Sequence, residues 1–251
     1  MEAAQTVADA GPDIGSGLGL RVAIMQPYFF PYIGYFQLIN AVDLFIVYDN
    51  IKYTKKGWIN RNRFLQNGQD CMFSLPLKSD SDMLDIVERE LAADFNPRKL
   101  LQQLSGAYRR APYFAQTLPL LEAVLLHDDK NLFRFLEHAL RKTCAHLGIA
   151  TEFRVSSTIP IAHELKGKHK VMALCQAVGA HTYVNAIGGM DLYEPQEFRQ
   201  HGLELKFIRS KPFEYAQAGA DFVPWLSIID VMMFNPPEII QSTLDQGFDL
   251  I

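Results

Sequence analysis

Cysteine is scarce in this sequence. Cys71, Cys144 and Cys175 are the whole complement, with no CxxC pair and no zinc-ligand spacing. An odd count without a secretion signal points to a reducing compartment and excludes a disulfide-stapled scaffold. The seven histidines form neither HExxH nor another recognised metal pattern, so no metal ligand is expected. No apolar run approaches the roughly 20 residues of a membrane span. Positive charge is not in excess either: 24 Lys and Arg stand against 28 Asp and Glu, a net charge of −4. There is therefore no global field for nucleic acid or an anionic membrane. Residues 1–20 carry no Lys or Arg and no continuous apolar core. A secretory signal needs both, so this stretch is expected to be a flexible N-terminal extension and the protein cytoplasmic.

What is present is a globular composition: 251 residues, 49% hydrophobic and 12% aromatic. Val22–Met25 is a short apolar run ended by Gln26-Pro27, the mark of a buried strand entering a loop. Tyr35–Ala41 reads as a helix and Leu44–Tyr48 as a second buried strand, together a βαβ unit with parallel pairing. Trp58–Leu65 and Cys71–Leu77, joined by Asn67-Gly68-Gln69-Asp70, read as a hairpin. Helices are expected over Pro97–Arg109, Thr117–Leu126 and Asn131–His146, then strands and helices alternate to the end. The expected fold class is α/β: a single domain over 21–251 with a Rossmann-like, mostly parallel sheet and a helical insert at about 96–149.

In such sheets, ligands lie outside the carboxyl ends of the strands. The loop after the first strand holds Gln26, Tyr32, Gly34 and Tyr35; the prolines stiffen it, and Gly34 permits close approach at the helix start. Tyrosines supply flat faces with polar tips for a base or sugar ring. After the second strand, residues 51–64 contain five cations and no acid. Here Lys52, Lys55 and Arg61 beside Trp58 and Asn60 suit phosphate charge plus a stacked ring. Strand alternation would put Trp58, Asn60, Asn62 and Phe64 on one face and Arg61 and Arg63 on the other. Gly188-Gly189, between Asn185 and Tyr193, forms a third loop at a strand end, and Lys168 opens a helix whose free N–H groups favour an anion. Cys144 and His146 lie two apart on a helix, so they do not form a dyad.

Five blocks carry a family resemblance: MQPYFFPYIGYFQLI (25–39), YTKKGWINRNRF (53–64), APYF (111–114), YVNAIGG-x-x-LY (183–193) and LSIIDVMMFN (226–235). In these the chain resembles the WbqC-like family. That resemblance implies a place among genes for O-antigen and related surface polysaccharides, and a glycine-transferase activity. More distantly, the first block is similar to the nucleotidylyl-transferase type of α/β fold, to which pantothenate synthetase belongs. There the loop after strand one carries two histidines flanking a glycine; here Tyr32-Ile33-Gly34-Tyr35 stands in their place. Tyrosine hydrogen-bonds but carries no positive charge at neutral pH.

The expected function is acyl, in the first place glycyl, transfer onto the amino group of a nucleotide-linked amino sugar. Amide formation needs an activated carboxylate, an unprotonated amine and oxyanion stabilisation. Asp49, with Asp43 as the alternative, is the expected group to deprotonate or orient the amine, and Lys52 and Tyr32 join Asp49 in the catalytic set. Lys52, Lys55 and Arg61 would hold phosphate, while Tyr32, Trp58 and Asn185 would shape the ring pocket. ATP with Mg²⁺ is the expected activating cofactor, a carrier thioester or aminoacyl-tRNA being the other donors; nucleic acid is otherwise not an expected partner. The competing readings are a non-catalytic nucleotide-sugar binding protein and a nucleotidylyltransferase.

Overall fold

The structure, a computed structural model, describes residues 19–219 and 221–251. Most of the expected N-terminal extension, 1–18, lies outside the described residues. Strand β1 (Arg21–Met25), helix α1 (Ile33–Asn40) and strand β2 (Leu44–Val47) form the first crossover, and the two strands pair in parallel from Val22–Leu44 to Met25–Val47. The hairpin follows as β3 (Arg61–Gln66) and β4 (Gln69–Ser74). Its turn is Asn67-Gly68 alone, at φ +53° and +76°. Both values are positive, as a two-residue turn matched to strand twist requires.

Three helices follow, α2 (Pro97–Tyr108), α3 (Phe114–Leu125) and α4 (Leu132–His146), where helices are expected. Their starts are written locally: the Asn96 side chain accepts from Lys99 N, and that of Asn131 from Arg134 N. Strand β5 (Glu152–Val155), helix α5 (Gly167–Ala177), strand β6 (Thr182–Ala186), helix α6 (Pro195–Gln200) and strand β7 (Glu204–Ser210) continue the alternation. Helices α7 (Ile228–Phe234) and α8 (Pro237–Gln246) precede a last strand, β8 (Phe248–Leu250).

The six-stranded sheet has the order β5-β2-β1-β6-β7-β8, parallel except for β8. This is the expected α/β class with a mostly parallel, Rossmann-like sheet. The central strands β1, β2 and β6 are short, buried, largely apolar runs because both faces are covered. Val22, Ile24, Leu44, Ile46 and Tyr183 face α5 and α6, while Ala23, Phe45, Val47 and Val184 face α1, α8 and the helical block. On the second face one continuous apolar cluster joins α1, the hairpin, α2–α4, α7 and α8, with Phe29, Phe36, Phe45 and Phe135 almost wholly buried. Each such ring contributes about 2–3 kcal/mol of transfer free energy.

Two elements escape the sequence reading, α6 and β8; six and three residues are too short to show a period. The hairpin also starts later than expected. A turn closed by Gly57 N donating to Thr54 O ends the alternation, so the ladder begins at Arg61. Trp58 consequently does not share the face of Asn62 and Phe64; its ring lies against the guanidinium carbons of Arg61 (5.9 Å) and Arg63 (5.7 Å).

Candidate functional site at the carboxyl edge

The chain leaves β1 toward β2 on one side and β6 toward β7 on the other, so β1 and β6 bracket the point where the winding reverses. Their ladder covers only Arg21–Thr182 and Val22–Tyr183, whereas β1–β2 and β6–β7 pair through to Met25–Val47 and Ala186–Ile208. Toward their carboxyl ends β1 and β6 thus lack ladder pairing, at the switch point where open α/β sheets carry their crevice. The ends of β2, β1, β6 and β7 follow one another along it, three strand spacings or about 14 Å. Asp49, Gln26, Asn185 and Ser210 mark them in that order.

At the β2 end, Asp49 is buried, and its Oδ1 accepts from the Ser156 hydroxyl (2.7 Å) and Ser157 N (2.9 Å). The same hydroxyl lies 2.7 Å from Asn50 Oδ1, and Asn50 Nδ2 meets His163 Nδ1 at 2.9 Å. Lys170, in the first turn of α5, is buried; its Nζ donates to Asn50 O at 3.1 Å and stands 5.2 Å from the centre of the Tyr48 ring. Burial lowers the Lys170 pKa from the usual lysine value, against the pull of the Asp85 and Asp49 charges. Burial raises the Asp85 carboxyl, helped by Glu88, and pushes the Tyr48 hydroxyl up to about 12.

The basic segment is largely occupied with its own loop. Asn60 accepts from the Tyr53 hydroxyl (2.8 Å) and donates to Leu75 O (2.7 Å). Arg61 donates to Gly57 O and Lys56 O. Lys55 pairs with Asp82 at 2.7 Å in water, and Lys52 is exposed with Nζ 3.3 Å from Met83 Sδ. Lys52 still reaches the β2 end, because its backbone bridges Asp85. Lys168 pairs with Glu197 at 2.7 Å.

At the middle of the crevice the Gln26 carbonyl accepts from the Tyr35 hydroxyl at 2.6 Å, so the polar tip of Tyr35 is turned to the backbone. Asn185 Oδ1 accepts from Ala186 N (2.8 Å), and among the described residues its Nδ2 makes no hydrogen bond. Gly188 and Gly189 lie in a 3-10 turn, Ile187–Leu192. A side chain at Gly189 would run into that Nδ2, so glycine keeps the amide in place. Tyr193 packs its ring edge-on against Tyr183, with centroids 5.8 Å apart.

At the β7 end, Tyr32 and Trp225 line a cavity of about 190 Å³ with Ser210, Lys211, Phe213 and Glu214. Their ring centres are 5.6 Å apart at 63°. A Cβ on Gly34 would strike the Tyr32 hydroxyl and come within 2.5 Å of Ser210 Oγ, so glycine lets the start of α1 close on this cavity.

The structure therefore gathers Asp49, Lys52 and Asp85 at one end of the edge and Tyr32 and Gly34 at the other, with Gln26, Asn185 and Gly189 between. Lys170 and Trp225 escape the sequence reading. One sits two residues from the more obvious Lys168; the other sits in a Pro-rich stretch with no periodicity. Among the described residues, no three His, Cys, Asp or Glu side chains are grouped to hold a metal, and no helix is long and apolar enough to cross a membrane.

Comparison with known proteins agrees with the motif blocks. The chain is 29% identical over 219 residues to the uncharacterized protein Rv1507c of Mycobacterium tuberculosis, covering 86% of this chain and 93% of that protein. No solved structure matches. The model of the WbqC-like protein family matches residues 26–242, from the crevice loop after β1 into α8. The chain belongs to the WbqC-like protein family.

Proposed function

We propose that the chain is an amino-sugar N-acyltransferase or amide ligase that joins glycine, or a similar acyl unit, to a nucleotide-linked amino sugar. The observation that carries this reading is the carboxyl edge itself. Over about 14 Å it offers a polar, partly charged end at β2, a crevice between β1 and β6, and an aromatic end at β7. A nucleotide-linked sugar has the same sequence of chemical parts.

The amine would be acylated at the β2 end. There the C–N bond forms as the bond from the acyl carbonyl to its leaving group breaks, and the amine proton passes to a carboxylate. Asp49, the sequence-based choice for that acceptor, is held by Ser156 and Ser157. Asp85, whose raised pKa suits a proton acceptor better, lies close enough for its charge to act on Lys170. Lys170 Nζ, with Lys52 nearby, would stabilise the oxyanion of the tetrahedral intermediate. ATP with Mg²⁺, its phosphates held by Lys52, would supply the activated carboxylate, with pyrophosphate and then AMP as leaving groups; a thioester or aminoacyl-tRNA would supply it instead. Participation in surface-polysaccharide assembly, which the family resemblance implies, would go with this substrate class.

The test is mass spectrometry of a nucleotide-linked 4-amino-4,6-dideoxysugar incubated with protein, glycine, ATP and Mg²⁺, with each component omitted in turn. A product heavier by one glycyl unit supports the reading, and its loss in Lys170→Met by 100-fold or more supports the oxyanion assignment. Thermal stabilisation by the sugar nucleotide without turnover under any donor would make this a binding protein instead.

A further inference from the structure

Three non-glycine residues among those described have positive φ: Phe30 (+43°), Asn67 (+53°) and Trp225 (+61°). Asn67 is explained by the hairpin turn. The other two are bulky aromatics, for which this conformation is costly and persists only where the surroundings enforce it. The enforcing groups are neighbours. The Phe30 carbonyl accepts from Asn62 Nδ2 (2.7 Å) and from the Ser227 hydroxyl (2.7 Å). The Trp225 carbonyl accepts from Arg63 Nη2 (3.2 Å), and Ser227 N donates to Arg63 O (2.9 Å). Arg63 is steadied in turn by Asp70 at 2.9 Å. Asn62 and Arg63, adjacent on β3, thus hold the strained backbone that presents Tyr32 on one side of the cavity and Trp225 on the other.

The strain at Phe30 places a ring buried in the core, but the strain at Trp225 does not serve the core. Leu226 is buried, but Trp225 as a residue is 65% exposed, a poor return for a twisted backbone unless the ring has a partner. Tyr32 stands against it at 63°, and so exposed a residue keeps ring surface free for a second flat ring. Ser210, Lys211 and Glu214 line the same cavity. Glu214 is an acceptor for a ring N–H and Ser210 a donor for one ring carbonyl; Lys211, whose Nζ donates to Gln246 O (3.2 Å) and stands 3.4 Å from Asp249, would turn from these partners to donate to the other. Uracil and thymine present that pattern, one N–H between two carbonyls; adenine has no ring N–H to give.

We propose that the Tyr32–Trp225 cavity is the base-stacking subsite of this protein, built for the pyrimidine ring of a nucleoside diphosphate. The subsite gives the crevice a direction: base at the β7 end, diphosphate across β6 and β1, sugar at β2. Only that direction rests on the acyl-transfer reading; the stacking contact does not.

The chain has two tryptophans, Trp58 and Trp225, so 5-fluorotryptophan labelling yields two ¹⁹F resonances, assigned with Trp58→Phe. UDP or dTDP is expected to move the Trp225 resonance, whereas ADP and free glucosamine are not. Trp225→Ala is expected to weaken UDP or dTDP binding by roughly 10-fold or more, and Trp225→Phe to retain most of it. Trp225→Gly separates a ligand-facing ring from a structural one: relief of the positive φ raises the melting temperature if the ring serves only ligand, and loss of packing lowers it otherwise. A Trp225 signal unmoved by UDP, dTDP and their sugar conjugates, or moved equally by ADP, overturns the proposal. So does glycyl transfer with unchanged KM in Trp225→Ala, an outcome that leaves the transferase reading standing. Nucleotide binding at Trp225 without turnover under any donor does the reverse.

Discussion

The Tyr108 hydroxyl donates to the Asp230 carboxylate at 2.9 Å, tying α2 to α7 across 122 residues of sequence. The Tyr215 hydroxyl (2.8 Å) and Gln217 Nε2 (2.7 Å) donate to its other oxygen, and Leu65 N donates to the Tyr108 hydroxyl (2.9 Å). Asp230 is fully buried, and among the described residues no cation pairs with it. Three donors hold it where a salt bridge is absent, although burial still raises its pKa.

This carboxylate links the helical insert, the hairpin and the segment that supplies one wall of the aromatic cavity. Asp230→Ala would strand the buried Tyr108 hydroxyl and the half-buried Tyr215 hydroxyl and is expected to destabilise the fold by on the order of 3 kcal/mol. Asp230→Asn keeps one acceptor oxygen and is expected to cost about half as much. Urea denaturation reads both; equal stability of Asp230→Ala and the parent would show that the network contributes nothing.

Stability should fall in mild acid. His127 stacks on His138 at 3.8 Å and 7°, and burial and the His138 charge lower its pKa; burial lowers that of His146 as well. A histidine depressed in the fold binds its proton more readily when unfolded. Stability is then full above the unfolded value, about 6.5, and is lost as pH falls from there through the folded values. Denaturation midpoints at pH 7.5 and 5.5 are expected to differ in that direction. His127→Gln should shrink the difference, and an unchanged difference would assign the effect elsewhere.

Gly34→Ala tests the close approach at the start of α1. Alanine favours the helix by about 1 kcal/mol, but its methyl would displace the Tyr32 ring or Ser210. The fold is expected to persist, with a melting temperature within a few degrees of the parent, while sugar-nucleotide affinity drops. Calorimetry of the apoprotein and of the titrated protein separates the two effects.

Only Cys71 is expected to react with a thiol reagent in the folded protein. Cys144 and Cys175 are buried, and burial pushes both thiols up to about 12, whereas Cys71 is partly accessible. One equivalent released under native conditions and three in denaturant is the expected result. A second native equivalent would mean that α4 or α5 opens readily.

Much of the architecture is local information. The apolar runs of β1 and β2, the asparagine caps of α2 and α4 and the Asn67-Gly68 turn can each be read within a few residues, because period, cap and turn chemistry act over that range. The motif blocks likewise mark the loop after β1, and the crevice lies there. Local reading fails where a residue's role depends on a distant partner. Arg61 and Asn60 look like ligand-binding groups in sequence, yet the hydrogen bonds they make are to Gly57, Lys56, Tyr53 and Leu75.

The sequence by itself determined the α/β class, the family and the strand ends at which chemistry would gather, since hydrophobic periodicity and loop composition are properties of neighbouring residues. Only the tertiary structure decided the strand order, the parting of β1 from β6, the burial of Lys170 in place of Lys168 and the twisted presentation of Trp225. Those depend on contacts between residues such as Arg63 and Trp225, 162 positions apart. Their energies arise only once the chain has closed on itself.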